Sequence, residues 1–270
     1  MPTTSTAAHH AARVLIHRWF AYLQRGDGGE AALLELLEED AWVTSTFGTG
    51  QGHAGILKLL AARPGGERNA YDVLTFESRA EAGVNHVTLN IAHQLGPLAG
   101  PLEVRRLHCQ FELREYAGRL PRIARIVASP LGAAEVDHGG FKDQYPTHRV
   151  RSAFHAWLLL NELKAAEPVP FLDLLAPDGL ALQLGARSIH SVDEFEAWWR
   201  QDAHTHASAH RVDQFTVESP GDDKYLLRAR VHWAAPGIGG LNEHRWQLRE
   251  SRERYPRIET LEIAELPPLR

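Results

Sequence analysis

The densest group of side chains able to move protons lies in the second half of the chain. There His204, His206 and His210 precede a run that continues through Arg211, Asp213 and Phe215. In a helix His206 and His210 would share a face at i, i+4, and in an extended segment His204 and His206 would share one at i, i+2. Either spacing could begin a metal site with His232 or Asp202 as further ligands, because imidazole and carboxylate suit zinc or iron. No acidic partner is fixed by the spacing, so the expectation is a site without metal or cofactor. An imidazole titrates near neutrality, which suits general acid–base catalysis. His210 is the candidate base, oriented by Asp213 or Asp178, with His206 and His232 orienting a substrate or tuning that base. A third reading leaves these histidines as partly exposed, hydrogen-bonded groups at a helix-to-strand junction.

Aromatic side chains are the expected wall of any pocket: Trp19, Phe20 and Trp42 in the first half, and Trp157, Trp198, Trp199, Trp233 and Trp246 in the second. Of these, Trp157, Trp199, Trp233 and Trp246 are the candidate substrate-binding residues. Buried indoles also serve as plain core, needing only an apolar bed and one partner. Cys109 is the single cysteine, which excludes an intrachain disulfide and a multi-cysteine zinc site and fits a cytoplasmic protein. A formal charge of -5, with acidic and basic residues interspersed, argues against a nucleic-acid partner. With all 16 histidines protonated that charge would become +11, so the protein turns cationic in mild acid. No apolar run is long enough to span a bilayer, and Met1 to His10 does not read as a secretion signal. Gly237-Ile-Gly-Gly240 is a glycine-rich turn with no helix expected after it, so it is not a phosphate cradle.

The elements that must carry these residues come twice. Phe111 to Ile126 reads FELREYAGRLPRIARI and Trp246 to Leu261 reads WQLRESRERYPRIETL; at an offset of 135, seven positions are identical, among them Leu113/Leu248, Arg114/Arg249, Glu115/Glu250 and Pro121/Pro256. Upstream the offset drifts to 141, as loop insertions would cause, placing His210 against Asn69 and Asp213 near Asp72. Apolar spacing predicts first helices at His10–Gln24 and Val150–Leu163, and second helical stretches at Glu30–Glu38 and Val169–Leu175. A short strand pair and a third helix follow in each half, the latter near Gly52 and at Ser191, where Ser191 to Glu194 has the form of a capping box. Four strands close each half: Tyr71–Glu77, His86–His93, Val104–Arg114 and Pro121–Val127, then Val212–Glu218, Tyr225–Trp233, Asn242–Arg249 and Arg257–Ile263. Along the second of the later strands, alternation separates Leu226, Arg228, Arg230 and His232 from Tyr225, Leu227, Ala229 and Val231. Helices first and strands after is an α+β order, not βαβ.

That order, with the run His206 to Glu218 (HASAHRVDQFTVE), resembles the nuclear-transport-factor-2-like superfamily in its SnoaL-like branch. The resemblance implies two tandem α+β cone domains, each a curved antiparallel sheet wrapped on three helices, arranged as an intrachain pseudo-dimer. The expected boundaries are 1–129 for the first domain, 130–146 for a linker rich in Gly, Asp and His, and 147–270 for the second. It also implies a small apolar ligand, with further homo-oligomerisation left open. Two activities within the superfamily lack their residues here. Arg211-Val-Asp213 falls too early for the epoxide-hydrolase arrangement, and Glu112 and Gln247 occupy the inward positions where the cyclases carry an aspartate. The expected function is therefore a small-molecule pocket protein, an isomerase, dehydratase or cyclase with histidine as proton carrier. The alternatives are a non-catalytic ligand-binding or interaction module and a histidine-ligated metal enzyme. The histidine trio and most tryptophans belong to the second half, so pocket chemistry is expected there.

Overall fold

The computed structural model describes residues 5–26, 28–62, 68–116, 120–131, 140–163, 169–202, 208–221 and 223–267. The chain divides into two compact units, Met1–His148 and Arg149–Arg270. In the first, α1 (Thr6–Arg25) and α2 (Gly29–Leu36) lead into β1 (Leu37–Ser45), β2 (Gly48–Gln51) and α3 (Gly52–Ala61). The long strands β3 (Arg68–Glu81), β4 (Val84–Gly96), β5 (Glu103–Arg114) and β6 (Arg122–Pro130) complete it. The second set begins with α4 (Tyr145–Leu163), a 3₁₀ turn at Val169–Leu174, β7 (Ala181–Leu184), β8 (Arg187–Ile189) and α5 (Val192–Asp202). It ends with β9 (Ala209–Gly221), β10 (Lys224–Ala235), β11 (Ile238–Arg249) and β12 (Arg257–Leu266). The unit boundary falls within the first turns of α4.

Local chemistry explains the helix ends. The Ser5 hydroxyl caps α1 by accepting from the Ala8 N–H at 3.2 Å. The helix stops at Gly26, which adopts the left-handed conformation (φ 68°) and returns its N–H to the Tyr22 carbonyl at 2.7 Å. For α5 the expected capping box is present. Ser191 Oγ accepts from the Glu194 N–H at 3.1 Å, and the Glu194 carboxylate reaches back to the His190 N–H at 2.7 Å. The stretch at Val169–Leu174 differs from expectation, being a short 3₁₀ helix of two turns, not an α-helix.

The strands pair in the order β2-β1-β6-β5-β4-β3 and, in the second unit, β8-β7-β12-β11-β10-β9. These sheets are mixed and not wholly antiparallel as expected, because β1 runs parallel to β6 and β7 parallel to β12. The crossover through α3 or α5 and the long hairpins brings the last strand back beside the first. The duplication extends to irregularities. A bulge at Ala124 in β6, opposite Glu112 and Leu113, has its counterpart at Glu259 in β12, opposite Gln247 and Leu248, at the offset of the FELRE/WQLRE match. Apolar alternation sets which sheet face is buried. In β5 Leu107, Cys109, Phe111 and Leu113 pack under α1 residues such as Ile16, Trp19 and Phe20.

Candidate functional site

α4 buries the stripe Phe154, Leu158 at spacing i, i+4, and one turn further on this stripe carries Glu162, the one carboxylate in the helix. Its Oε1 accepts two hydrogen bonds from the second residue of β9: the His210 backbone N–H at 2.6 Å and His210 Nδ1–H at 3.2 Å. The carboxylate is 3% exposed and the imidazole 12%. A carboxylate oxygen accepts, so Nδ1 carries its proton toward Glu162. Ser208 Oγ lies 3.4 Å from His210 Nε2. A ring oriented at one nitrogen by a carboxylate, with its second nitrogen turned toward a serine hydroxyl, is an arrangement a general base can use.

A second imidazole stands near. His244, on β11, is 3% exposed and lies edge-on to Phe154 at 5.8 Å and tilted against Trp246 at 6.4 Å. Burial, and then the neighbouring His210, push its pKa down to about 3, so the ring is neutral in ordinary buffers. Among the described residues its Nδ1 has no hydrogen-bond partner, nor has Trp246 Nε1 or Trp233 Nε1. An unfolded chain protonates this histidine near its ordinary value while the folded unit resists. The unfolded state therefore binds more protons in between, and stability falls as pH drops from about 6.5 toward 3. The expected slope in that window is about 1.4 kcal/mol per pH unit from this group. Urea titrations of the His244→Phe chain across pH 6.5 to 4 should show that slope reduced; an unchanged slope would mean the ring is hydrated in the native state.

The sequence candidates are distributed as follows. His204 and His206, with the side chain of Asp202, lie outside the described residues. His210 faces inward opposite Trp233 in the β9·β10 register, whereas His232 pairs with Arg211 one residue along, on the other face of the sheet, away from His210. Asp213 sits at the bulge where β9 passes Arg230 and Val231, and its side chain is exposed. Asp178 is exposed in the loop before β7, and the carboxylate on His210 is that of Glu162. Trp157, Trp199 and Trp246 are 3%, 2% and 2% exposed. Trp157 meets Phe195 and Trp246 with ring centroids at 5.8 and 5.9 Å. Trp233 is half-buried, its indole lying over Gly240, where a Cβ would come within 2.9 Å of Nε1. Trp42 is 42% exposed and donates to Thr44 Oγ1, so it lines no interior. Glu112 and Gln247 are not inward. The buried parity of β5 and β11 runs through Phe111 and Trp246, and both polar residues take the opposite face. Among the described residues no three His, Cys, Asp or Glu side chains come together as a metal cluster.

Strand register also corrects the pairing of the halves. His93 in β4 stands where Trp233 stands in β10, and it faces Tyr71, not Asn69, so Tyr71 is the counterpart of His210 and Leu74 that of Asp213. The bulges at Leu74 and Asp213 set this offset, and sequence comparison slips past them. Counting from the helix starts, Leu23 answers Glu162; at the 135 offset Cys109 and Phe111 answer His244 and Trp246. All five first-unit counterparts, Leu23, Tyr71, His93, Cys109 and Phe111, line one apolar cavity, in which about 70 Å³ is open to the centres of water-sized molecules. Within it His93 stacks on Tyr71 at 4.4 Å, and its Nε2–H donates to Asn69 Oδ1 at 2.9 Å. Burial pushes the Cys109 thiol up to about 12, so it is not a nucleophile. Glu162 and His244 were not singled out in the sequence. Their signals were a lone carboxylate prolonging a buried helical stripe and a histidine on the same strand parity as Trp246 and Leu248.

No family model and no curated protein matches this chain. Among solved structures it is similar to a nuclear-transport-factor-2-like protein with a cystatin-like fold from Novosphingobium aromaticivorans, at 20% identity and TM-score 0.40, over 47% of this chain and 84% of that one. It is also similar to a hexachlorocyclohexane dehydrochlorinase from Novosphingobium barchaimii, at 14% identity and TM-score 0.43, over 50% and 94% of the two chains. A third is a nuclear-transport-factor-2-like superfamily protein from Salmonella enterica serovar Typhimurium, at 10% identity and TM-score 0.42, over 50% and 98%. No helix among the described residues is long and apolar enough to cross a membrane. Helices α1 to α3 followed by four long strands, with the β2-β1-β6-β5-β4-β3 sheet and its repetition after residue 148, make this chain a tandem of two α+β units of one architecture.

Proposed function

We propose that the second unit is a proton-transfer catalyst of the isomerase, dehydratase or cyclase type, working without a cofactor on a small apolar molecule. The observation that carries this reading is the double grip of Glu162 on His210, which leaves Nε2 as the basic atom. His210 removes a proton from an acidified C–H, and Glu162 stabilises the imidazolium that results. The first unit is read as a ligand-binding cone without catalysis, because Leu23 and Tyr71 stand where the second has carboxylate and base.

A general probe suffices to test the base. Nitrobenzisoxazole opens to a phenolate when its acidic C–H is removed, and needs no other chemistry. The full chain is expected to open it faster than free imidazole at equal concentration. Glu162→Gln should lower the rate about tenfold, since an amide holds the ring but does not stabilise its cation. A wild-type rate no greater than that of imidazole sinks the proposal.

A further inference from the structure

A serine hydroxyl is a weak nucleophile until a base at hydrogen-bond distance takes its proton, and that base needs a third group to fix its ring. The second unit holds such a set. Ser208 Oγ is 3.4 Å from His210 Nε2, and His210 Nδ1 is 3.2 Å from Glu162 Oε1. Ser208 immediately precedes β9 and His210 is its second residue, so in extended backbone the two share a face. With Nδ1–H given to the carboxylate, the neutral ring accepts at Nε2, and the Ser208 hydroxyl is a donor facing it. Ser208 is only half-buried and the imidazole is 12% exposed, so neither is sealed in the core.

Tying the end of α4 to β9 does not require this chemistry. The His210 backbone N–H makes that tie by itself, at 2.6 Å to Glu162. The first unit makes the corresponding tie with amides: Asn69 donates to the Leu23 carbonyl at 2.9 Å and Gln24 to the Asn69 carbonyl at 3.1 Å. In the register that sets Tyr71 against His210, Asn69 answers Ser208, and Leu23 answers Glu162. The first unit thus has an amide, a phenol and an alkyl chain where the second has a hydroxyl, an imidazole and a carboxylate.

We infer that Ser208 is a nucleophile and that the second unit transfers the acyl group of small carboxylic esters to water, with His210 as base and Glu162 holding its ring. The inference rests on the His210–Glu162 pair of the reading above. Oγ attacks the ester carbonyl carbon while Nε2 takes its proton, and the bond to the alcohol oxygen breaks as the imidazolium returns that proton to it. Water then attacks the acyl-serine, giving a proton to Nε2, and the acid departs as Oγ is reprotonated. Nothing is oxidised or reduced, and water is the sole co-reactant.

A fluorophosphonate reports the nucleophile directly, because the serine oxygen displaces fluoride from phosphorus and keeps the phosphonyl group. Peptide mapping of the full chain by mass spectrometry is expected to find the label on Ser208, formed about 10²–10⁴-fold faster than on the other serines, the usual contribution of a positioned base. Release of nitrophenolate from p-nitrophenyl acetate should fall about 10²-fold in Ser208→Ala, and the labelled native chain should fall equally. The mapping is made on the native chain, so it reads out whether or not Ser208→Ala folds. A label on another residue, labelling of Ser208 no faster than of other serines, or undiminished ester turnover in folded Ser208→Ala would each overturn the inference. Nitrobenzisoxazole separates it from the reading above. Ring opening without a Ser208 label sinks the nucleophile alone, a Ser208 label without ring opening sinks only proton removal from carbon, and failure of both removes His210 as a base.

Discussion

Glu250→Ala is expected to destabilise the second unit by about 3–5 kcal/mol, the largest single-residue effect on stability in the chain. Arg149, at the start of this unit, and Glu250, just beyond β11, are both 5% exposed, with contacts at 2.7 and 3.0 Å between the guanidinium and the two carboxylate oxygens. The carboxylate also accepts from the Tyr225 hydroxyl at 2.7 Å and from the Ser251 and Arg252 N–H groups at 2.9 and 2.7 Å. Alanine would leave a buried guanidinium with the Arg254 carbonyl still bound to it and its counter-charge gone. The repeat makes the contrast internal, since Glu115, the identical residue of the first half, is exposed. Because five of the seven tryptophans belong to the second unit, the fluorescence transition in urea should move to lower concentration. Replacing both partners with apolar residues, Arg149→Met with Glu250→Leu, should recover most of the loss. A Glu250→Ala cost below about 1 kcal/mol would mean that water already reaches the pair.

The same carboxylate sets an acid limit. Burial raises its pKa, but Arg149, Tyr225 and the Arg252 N–H outweigh that and hold it at about 2. The stability it contributes is whole above the ordinary carboxylate range and drains as pH falls from about 4.5 toward 2, because there the unfolded chain binds the proton first.

The largest expected effect on activity belongs to His210. His210→Asn preserves an N–H toward Glu162 and a side chain of similar reach, yet offers no basic nitrogen. Loss of nitrobenzisoxazole turnover by about 10²–10⁴-fold is expected, the usual contribution of a positioned acid–base group. The comparison belongs with Asp213→Asn and His232→Gln, which should change the rate little, since the first is exposed and the second faces away on the sheet. A His210→Asn chain that is folded and retains its rate would move the chemistry elsewhere. So would a loss equally large for His232→Gln.

The duplicated architecture was legible in the sequence because strand periodicity and the FELRE/WQLRE match are local signals, and local signals fix elements. The inward set of β10 followed from alternation alone, as did the core face of α4. What failed to show was anything decided by register. Asp213 was expected to orient His210, but it is the unpaired residue of a bulge in β9 and its side chain is exposed. Glu162 lies 48 residues from His210, and only the packing of α4 on β9 joins them. Likewise Glu112 and Gln247 take the outer face, because alternation in β5 and β11 runs unbroken through Phe111 and Leu113 and through Trp246 and Leu248. The tryptophans of the second half were expected as pocket wall on composition, and three of them pack in the interior at 3% exposure or less.

One difference between the halves is confined to a single hairpin. Between β4 and β5 the chain takes residues 97–102, but between β10 and β11 only residues 236–237, and here the offset steps from 140 to 135. Arg68 clamps the longer loop through the carbonyls of Pro97 and Gly100, at 2.6 and 2.7 Å. The two strands joined by this hairpin keep their register, Val84 facing Arg114 as Lys224 faces Arg249, although β9 carries a second bulge beside Lys224 that β3 lacks. Lengthening a surface loop costs only logarithmically in closure entropy, and this chain has already absorbed such a change without moving a strand. The 97–102 turn is therefore the natural port for grafting: a fluorophore tag, an epitope or new chain ends should be accepted there while both cones keep their shape.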